Sequence, residues 1–166
     1  MRSGLKVKNK VFTFIATVLA VTAIDQLSKA IIMRYMYEGR SFGVVPGLFS
    51  IVHIKNPGAA FGILARGGTL RTIFLVAVSL GALVVTLALI RQAKDLLTAF
   101  ALSLIAGGAI GNLIDRLRFG SVVDFLDFHI KAYHWPAFNI ADSAITAGAA
   151  LAFVCYYILP HARKHG

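Results

Sequence analysis

Residues 72–90 read TIFLVAVSLGALVVTLALI, nineteen positions without a charge, the length a helix needs to cross a hydrocarbon layer about 30 Å thick. After the short link RQAKD the pattern returns: residues 96–114, LLTAFALSLIAGGAIGNLI, are as long and as free of charge. Working outward, residues 143–159 form a third apolar run that extends back to Asn139, and residues 11–33 form a fourth, VFTFIATVLAVTAI followed by a stretch carrying Asp25 and Lys29. The composition agrees, with 58% hydrophobic and 14% charged residues in a chain of 166 and a mean hydropathy of +0.76, far from the balance of a water-soluble domain. The expectation is a mainly α membrane protein, a single domain over residues 1–166. Its spans are placed at about 11–33, 72–90, 96–114 and 140–159, with outer loops at 34–71 and 115–139. In the first outer loop LFSIVHI alternates and NPG at 56–58 marks a turn. A small extracytoplasmic β-sheet in that loop is therefore expected beside the four-transmembrane-helix bundle.

The first span has a second reading. Arg2, Lys6, Lys8 and Lys10, an apolar core and the small residues Val21-Thr22-Ala23 resemble a cleavable signal peptide. Apolar character resumes beyond Asp25, at Leu27, Ala30, Ile31, Ile32 and Met33, so retention of a full span is expected. Asp25 and Lys29 then fall four apart on one helical face, where opposite charges pair and turn toward a partner helix rather than lipid.

The formal charge of +10 is not that of a nucleic-acid binder, because the basic residues are scattered instead of gathered into an aromatic-lined stripe. Orientation is a better use for them. An even number of spans puts both termini on one side. The tails and the 91–95 link hold eight Lys/Arg in short segments, against seven in the much longer opposite loops; by density the termini are expected to be cytoplasmic. The tail at 160–166, with Arg163 and Lys164, is expected to serve this topology alone. Of seven acids only Asp95 falls inside, and Glu38, Asp115, Asp124, Asp127 and Asp142 fall outside, so chemistry is expected at the outer face.

Cys155 is the only cysteine and lies in a membrane span, which excludes a disulfide within the chain and favours a packing role. No HExxH, phosphate loop or GxSxG elbow occurs, and His129, His134 and Asp127 lack a recognised metal-ligand spacing. No metal or cofactor is expected.

Polar residues concentrate at the outer span ends. Gly108, Asn112 and Arg116 are spaced by four on the third helix, with Asp115 three beyond Asn112. Gly107 and Gly111 make a GxxxG that can approach Ala144, Gly148 and Ala152 of the last span, drawing Arg116 toward Asp142. Asn139 and Asp142 are also good caps for that span. Between the helices SVVDFLDF alternates, predicting an extended segment that presents Asp124 and Asp127. Carboxylates that meet at a membrane surface can share a proton and activate water. On these grounds Asp115, Asp124, Asp127 and Asp142 are all candidates.

IDQLSK at 24–29, KNPGAAFG at 55–62, GNLIDR at 111–116, VVDF at 122–125 and FNIADS at 138–143 together resemble, in order and over nearly the whole chain, the bacterial lipoprotein signal peptidases, signal peptidase II, the A8 aspartyl peptidases. The resemblance implies an inner-membrane enzyme that removes signal peptides from diacylglyceryl-modified prolipoproteins, cutting before the lipid-bearing cysteine. It implies Asp124 and Asp142 as the catalytic pair. It implies Asp25, Lys29, Asn56, Asn112, Asp115, Arg116 and Asn139 as residues that bind substrate or support the site, with Gly108 beside them on the third helix. Peptide antibiotics of the globomycin type follow as inhibitors, and a monomer among membrane lipids as the working form. Asp115 is expected to pair with its neighbour Arg116, and Asp127, outside every motif, to be an exposed carboxylate. Two alternatives stand beside this reading. A small transporter or ion-conducting protein would keep Asp25, Lys29 and Asp142 near helix ends, and a metal-dependent membrane protease would use His129, His134 and Asp124.

Overall fold

The structure, a computed structural model, describes residues 2–58, 68–93 and 95–159, with side chains from Lys8 onward in the first stretch. The AAFG end of the 55–62 motif and the tail at 160–166 lie outside the described residues. Among the described residues four helices are long and apolar enough to span a membrane: α1 (Arg2–Tyr35), α2 (Gly68–Gln92), α3 (Leu96–Phe119) and α4 (Ile140–Phe153), the last running on through a π-helical stretch, Val154–Ile158, that includes Cys155. Each overruns the charge-free core that marks it in the sequence. The overrun has local causes at α3: Asp95 caps its start by accepting from Thr98 N at 2.7 Å, and Gly120, at φ 68°, closes its end with its N–H on Arg116 O at 3.0 Å, a left-handed cap that suits glycine.

α3 is the central and most buried of the four. The others surround it and turn apolar side chains such as Phe12, Leu19, Leu70 and Val84 outward, the inverse of a soluble protein and the arrangement that lipid solvates. Small residues allow the close approach. A Cβ at Gly108 would run into the carbonyl of Ala141, and one at Gly148 would lie 2.7 Å from the carbonyl of Ala101, so α3 and α4 touch backbone to backbone. Gly107 instead faces Val21 of α1, and Gly111 sits between Asp25 and Ala141. The GxxxG thus serves two neighbours, where the sequence spacing alone points to one.

At one end of the bundle lies an antiparallel sheet in the order β1-β2-β3-β4: β1 (Ser41–Val45), β2 (Phe49–Asn56), β3 (Val122–Ile130) and β4 (Tyr133–His134). It is not confined to the first outer loop as expected. The second loop supplies half of its strands, because β2 finds its long partner in β3, with Ile54 opposite Asp124 and Asn56 opposite Val122. Alternation shows that a segment is extended and leaves its partner open.

Candidate active site

Asp124 is placed by β3 and Asp142 by the first turn of α4. Asn139 joins them. As the N-cap of α4 its side-chain oxygen accepts from Asp142 N at 2.9 Å, while its backbone N–H donates to Asp142 Oδ2 at 3.3 Å, a reciprocal capping box. Its Nδ2 then donates to Asp124 Oδ1 at 2.7 Å. Capping and active-site placement are thus served by the same two residues, and FNIADS encodes both.

Two further amides complete the cradle. Asn56 donates from Nδ2 to Asp124 Oδ2 at 2.8 Å, and its Oδ1 accepts from Gly58 N at 2.9 Å; Gly58, at φ 87°, makes the turn that holds the amide in place. Asn112 donates from Nδ2 to Asp142 Oδ1 at 2.7 Å, and its Oδ1 accepts from Lys29 Nζ at 3.0 Å and Asn139 Nδ2 at 3.2 Å. Each carboxylate therefore meets neutral donors at close range, and Lys29 is reached from Asp142 through Asn112 and from Asp124 through Asn139 and Asn112. Asp124 is 1% exposed and Asp142 half-buried. Burial pushes the Asp124 carboxyl up to about 6; the Asn56 and Asn139 donors and the Lys29 charge oppose this, and the Asp142 charge adds to it. A carboxyl held there exchanges a proton near neutrality.

Beneath the pair lies a buried ionic cluster. Lys29 Nζ is 2.9 Å from Asp25 Oδ2 and 2.9 Å from Asp115 Oδ2, with all three side chains essentially inaccessible. The same two carboxylates reach the backbone beside Asp124 and Asp142. Asp25 Oδ1 accepts from Ala141 N at 2.9 Å, and Asp115 Oδ2 accepts from Val123 N at 3.1 Å. Lys29 thus holds two carboxylates that each grip the residue just before one of the site aspartates. Gln26 ties the cluster to α3, donating to Asp115 Oδ1 at 2.9 Å, Gly111 O at 3.1 Å and Asp25 Oδ2 at 3.2 Å. Gln26 is missing from the sequence-based candidates, although it lies inside IDQLSK.

Two expectations are overturned. Asp115 pairs with Lys29 and not with Arg116, because adjacent helical residues point about 100° apart; Arg116 donates instead to Ser79 Oγ on α2 at 3.1 Å. It still lies in the field of Asp142, Asp115 and Asp124, with guanidinium donors to spare for a peptide carbonyl. Asp127 is also not exposed: it is 6% accessible and bonded to His134 Nδ1 at 2.9 and 3.0 Å. His129 and His134 gather with Asp127, whereas Asp124 faces Asn56 and Asn139, so the trio of the metal-protease alternative is not assembled.

Comparison with known proteins agrees with this layout. The family model for signal peptidase (SPase) II, Peptidase_A8, matches residues 17–158. The chain is 48% identical over 145 residues to the lipoprotein signal peptidase of Syntrophotalea carbinolica, covering 86% of this chain and 88% of that one. It is 50% identical over 140 residues to the lipoprotein signal peptidase of Geobacter sulfurreducens, covering 83% and 87%. A solved structure titled as a bacterial membrane enzyme by the in meso method at 2.3 Å superposes with a TM-score of 0.80 at 35% identity, covering 94% of this chain and 93% of that one. Four membrane-length helices, a sheet at one end and two amide-cradled aspartates sit in a chain matched almost from end to end, and the chain belongs to the signal peptidase II family, the multi-pass membrane peptidases that process lipoproteins.

Proposed function

We propose that Asp124 and Asp142 share one proton and hydrolyse the peptide bond that joins a signal peptide to the lipid-bearing cysteine of a diacylglyceryl-modified prolipoprotein. The observation that carries this reading is the amide cradle: two carboxylates from different elements, bridged by Asn139 and contacted by neutral donors. Like charges in one buried site favour retention of a proton between them. The ionised member takes a proton from water as its oxygen attacks the scissile carbonyl carbon, and the protonated member donates to the carbonyl oxygen. The resulting gem-diol collapses by returning a hydroxyl proton to one carboxylate while the other protonates the departing amine. The C–N bond breaks, the products are a carboxylic acid and a free amino group, and the pair is left as it began. No cofactor enters.

Arg116 and the side chains of Asn56 and Asn112 are the polar groups available to hold the substrate backbone where unpaired polar atoms are costly. Both termini lie in the cytoplasm and the site at the outer face, as the density of basic residues in the short segments supports. The chain works as one domain and as a monomer among membrane lipids, and globomycin-type peptides compete for the same cleft. The test is a gel-shift assay of the purified protein with a diacylglyceryl-modified prolipoprotein: conversion to the shorter form, insensitive to chelator and abolished by Asp124→Asn, is expected. Chelator-sensitive cleavage, or none, would sink the reading.

A further inference from the structure

The hairpin that links the two site aspartates carries a polar cluster that the proposed reaction does not use. β3 ends at Ile130, and the chain turns through Lys131, which has a φ of 55°, then returns through β4 to Phe138. Backbone bonds zip the return to β3: Trp135 N donates to Phe128 O at 2.8 Å, and Phe138 exchanges bonds with Phe125 and Leu126 at 2.8 to 3.0 Å. One charged side-chain contact closes it. His134 Nδ1 donates to both oxygens of the buried Asp127 carboxylate. The His134 ring stacks on His129 at 4.6 Å, and His129 Nε2 is 3.1 Å from Ser50 Oγ on β2.

A carboxylate removed from water needs a partner that repays its desolvation, and this one spends its bonds on the hairpin alone. Asp127 lies three positions beyond Asp124 on an extended strand, so the two side chains leave opposite faces and Asp127 takes no direct part at the dyad. Its partner's strand does reach the site. Trp135 and Phe138 form one wall of a groove of about 570 Å³, and α4 forms the other from Asp142 through Thr146 to Ala150. The groove opens on a site carboxylate and runs along an apolar helix face, so its width is set by where the hairpin stands.

We infer that Asp127 and His134 are positioning residues for substrate binding: their contact holds the Trp135–Phe138 wall at the distance from α4 that fits the substrate chain beside the scissile bond. This rests on the peptidase reading above. A wall acts on the fit of the bound substrate and not on proton transfer at the dyad, so the pair governs KM rather than kcat.

The experiment is steady-state cleavage of a diacylglyceryl-modified prolipoprotein by the full-length enzyme in detergent, with unfolding temperature measured in parallel. Asp127→Ala and His134→Ala should each raise KM about tenfold, the scale of one lost charge-assisted hydrogen bond, with kcat held within about twofold. The double variant should be no worse than either single, since both remove one contact. His134→Asn places an amide N–H where Nδ1 stood and should recover most of the KM. An unchanged KM, a loss confined to kcat, additive single effects, or His134→Asn behaving like His134→Ala would each overturn the inference. Should Asp127→Ala fail to fold, the two His134 variants, at an exposed position, decide the matter alone. If the unmodified enzyme leaves the prolipoprotein intact, the peptidase reading falls, and this inference with it, before any variant is compared.

Discussion

Asp25 and Asp115 meet a lysine, whereas Asp124 and Asp142 meet amides. The first pair comes from α1 and α3 and the second from β3 and α4, and Asn112 links them, accepting from Lys29 and donating to Asp142. Lys29 stands 2.9 Å from each carboxylate of the first pair. One lysine between two carboxylates offsets part of their charge, and their remaining lone pairs are free to anchor backbone. The second pair receives hydrogen bonds but no adjacent cation, and burial leaves Asp124 titrating at about 6. One arrangement gives rigidity, the other a proton that can move. The difference shows why these four aspartates are not interchangeable, and why each site aspartate is preceded by a residue that the ionic cluster holds.

The comparison breaks most sharply at the dyad. Asp124→Asn and Asp142→Asn each keep size and some hydrogen bonding but remove the acid-base function, and turnover in the gel-shift assay should fall about 10³-fold or more. Substrate binding, read by pull-down with immobilised prolipoprotein, should survive. If Asp124→Asn stayed active while Asp127→Ala abolished kcat, the assignment of the pair would be wrong.

At the ionic cluster the effect should be on stability. Lys29→Met leaves two buried carboxylates without their cation, a loss of about 3–5 kcal/mol, seen as a lower unfolding midpoint in detergent. Adding Asp25→Asn and Asp115→Asn to the same chain should recover part of it, because the charges left unpaired are gone. Asp115→Asn alone should cost less and keep measurable turnover, since an amide oxygen can still accept from Val123 N. A Lys29→Met enzyme as stable as its parent would mean that the cluster is not what holds the two aspartates.

The four helices were legible because each rests on local information, a charge-free run of membrane length; the proposed pair, Asp124 and Asp142, was singled out from four aspartates only by the family resemblance of motifs in order. What escaped reading depends on direction and partner. Chain adjacency points Asp115 at Arg116, while the helical rotation points it at Lys29. An aspartate on an alternating strand passes for exposed until the hairpin beyond it folds back, which is how Asp127 acquires His134. Gln26 does not stand out within its motif, because its three acceptors come together only when α1 packs on α3.

Next in expected size is the pH dependence of stability. Burial raises the Asp124 carboxyl to about 6 in the fold, above the ordinary 3.8 of an aspartate in water, so the folded state prefers the protonated form. The associated stability is fully present below the unfolded value and is lost as pH rises through about 6, a difference on the order of 3 kcal/mol. Asp124→Asn cannot titrate. Its unfolding temperature, whatever its level, should therefore fall less than the parent's between pH 4 and pH 7.5, and parallel curves would show that Asp124 does not carry the shared proton.

The smallest effect concerns one amide. If the active pair holds a single proton, activity should decline as pH rises through the upper apparent value of the pair, which belongs to both carboxyls jointly and is approximated by the Asp124 value of about 6. The Asn56 donor favours the ionised form of Asp124. Removing it in Asn56→Ala should make the proton harder to lose and move the alkaline limb of kcat/KM upward, by about one pH unit for a hydrogen bond to a charged acceptor. Near the top of that limb the variant would then outlast its parent, even if its maximal rate is lower for want of a donor to the substrate. A limb that moves downward would mean that Asn56 bonds to the protonated carboxyl, and a limb that stays fixed would place the titrating proton on Asp142.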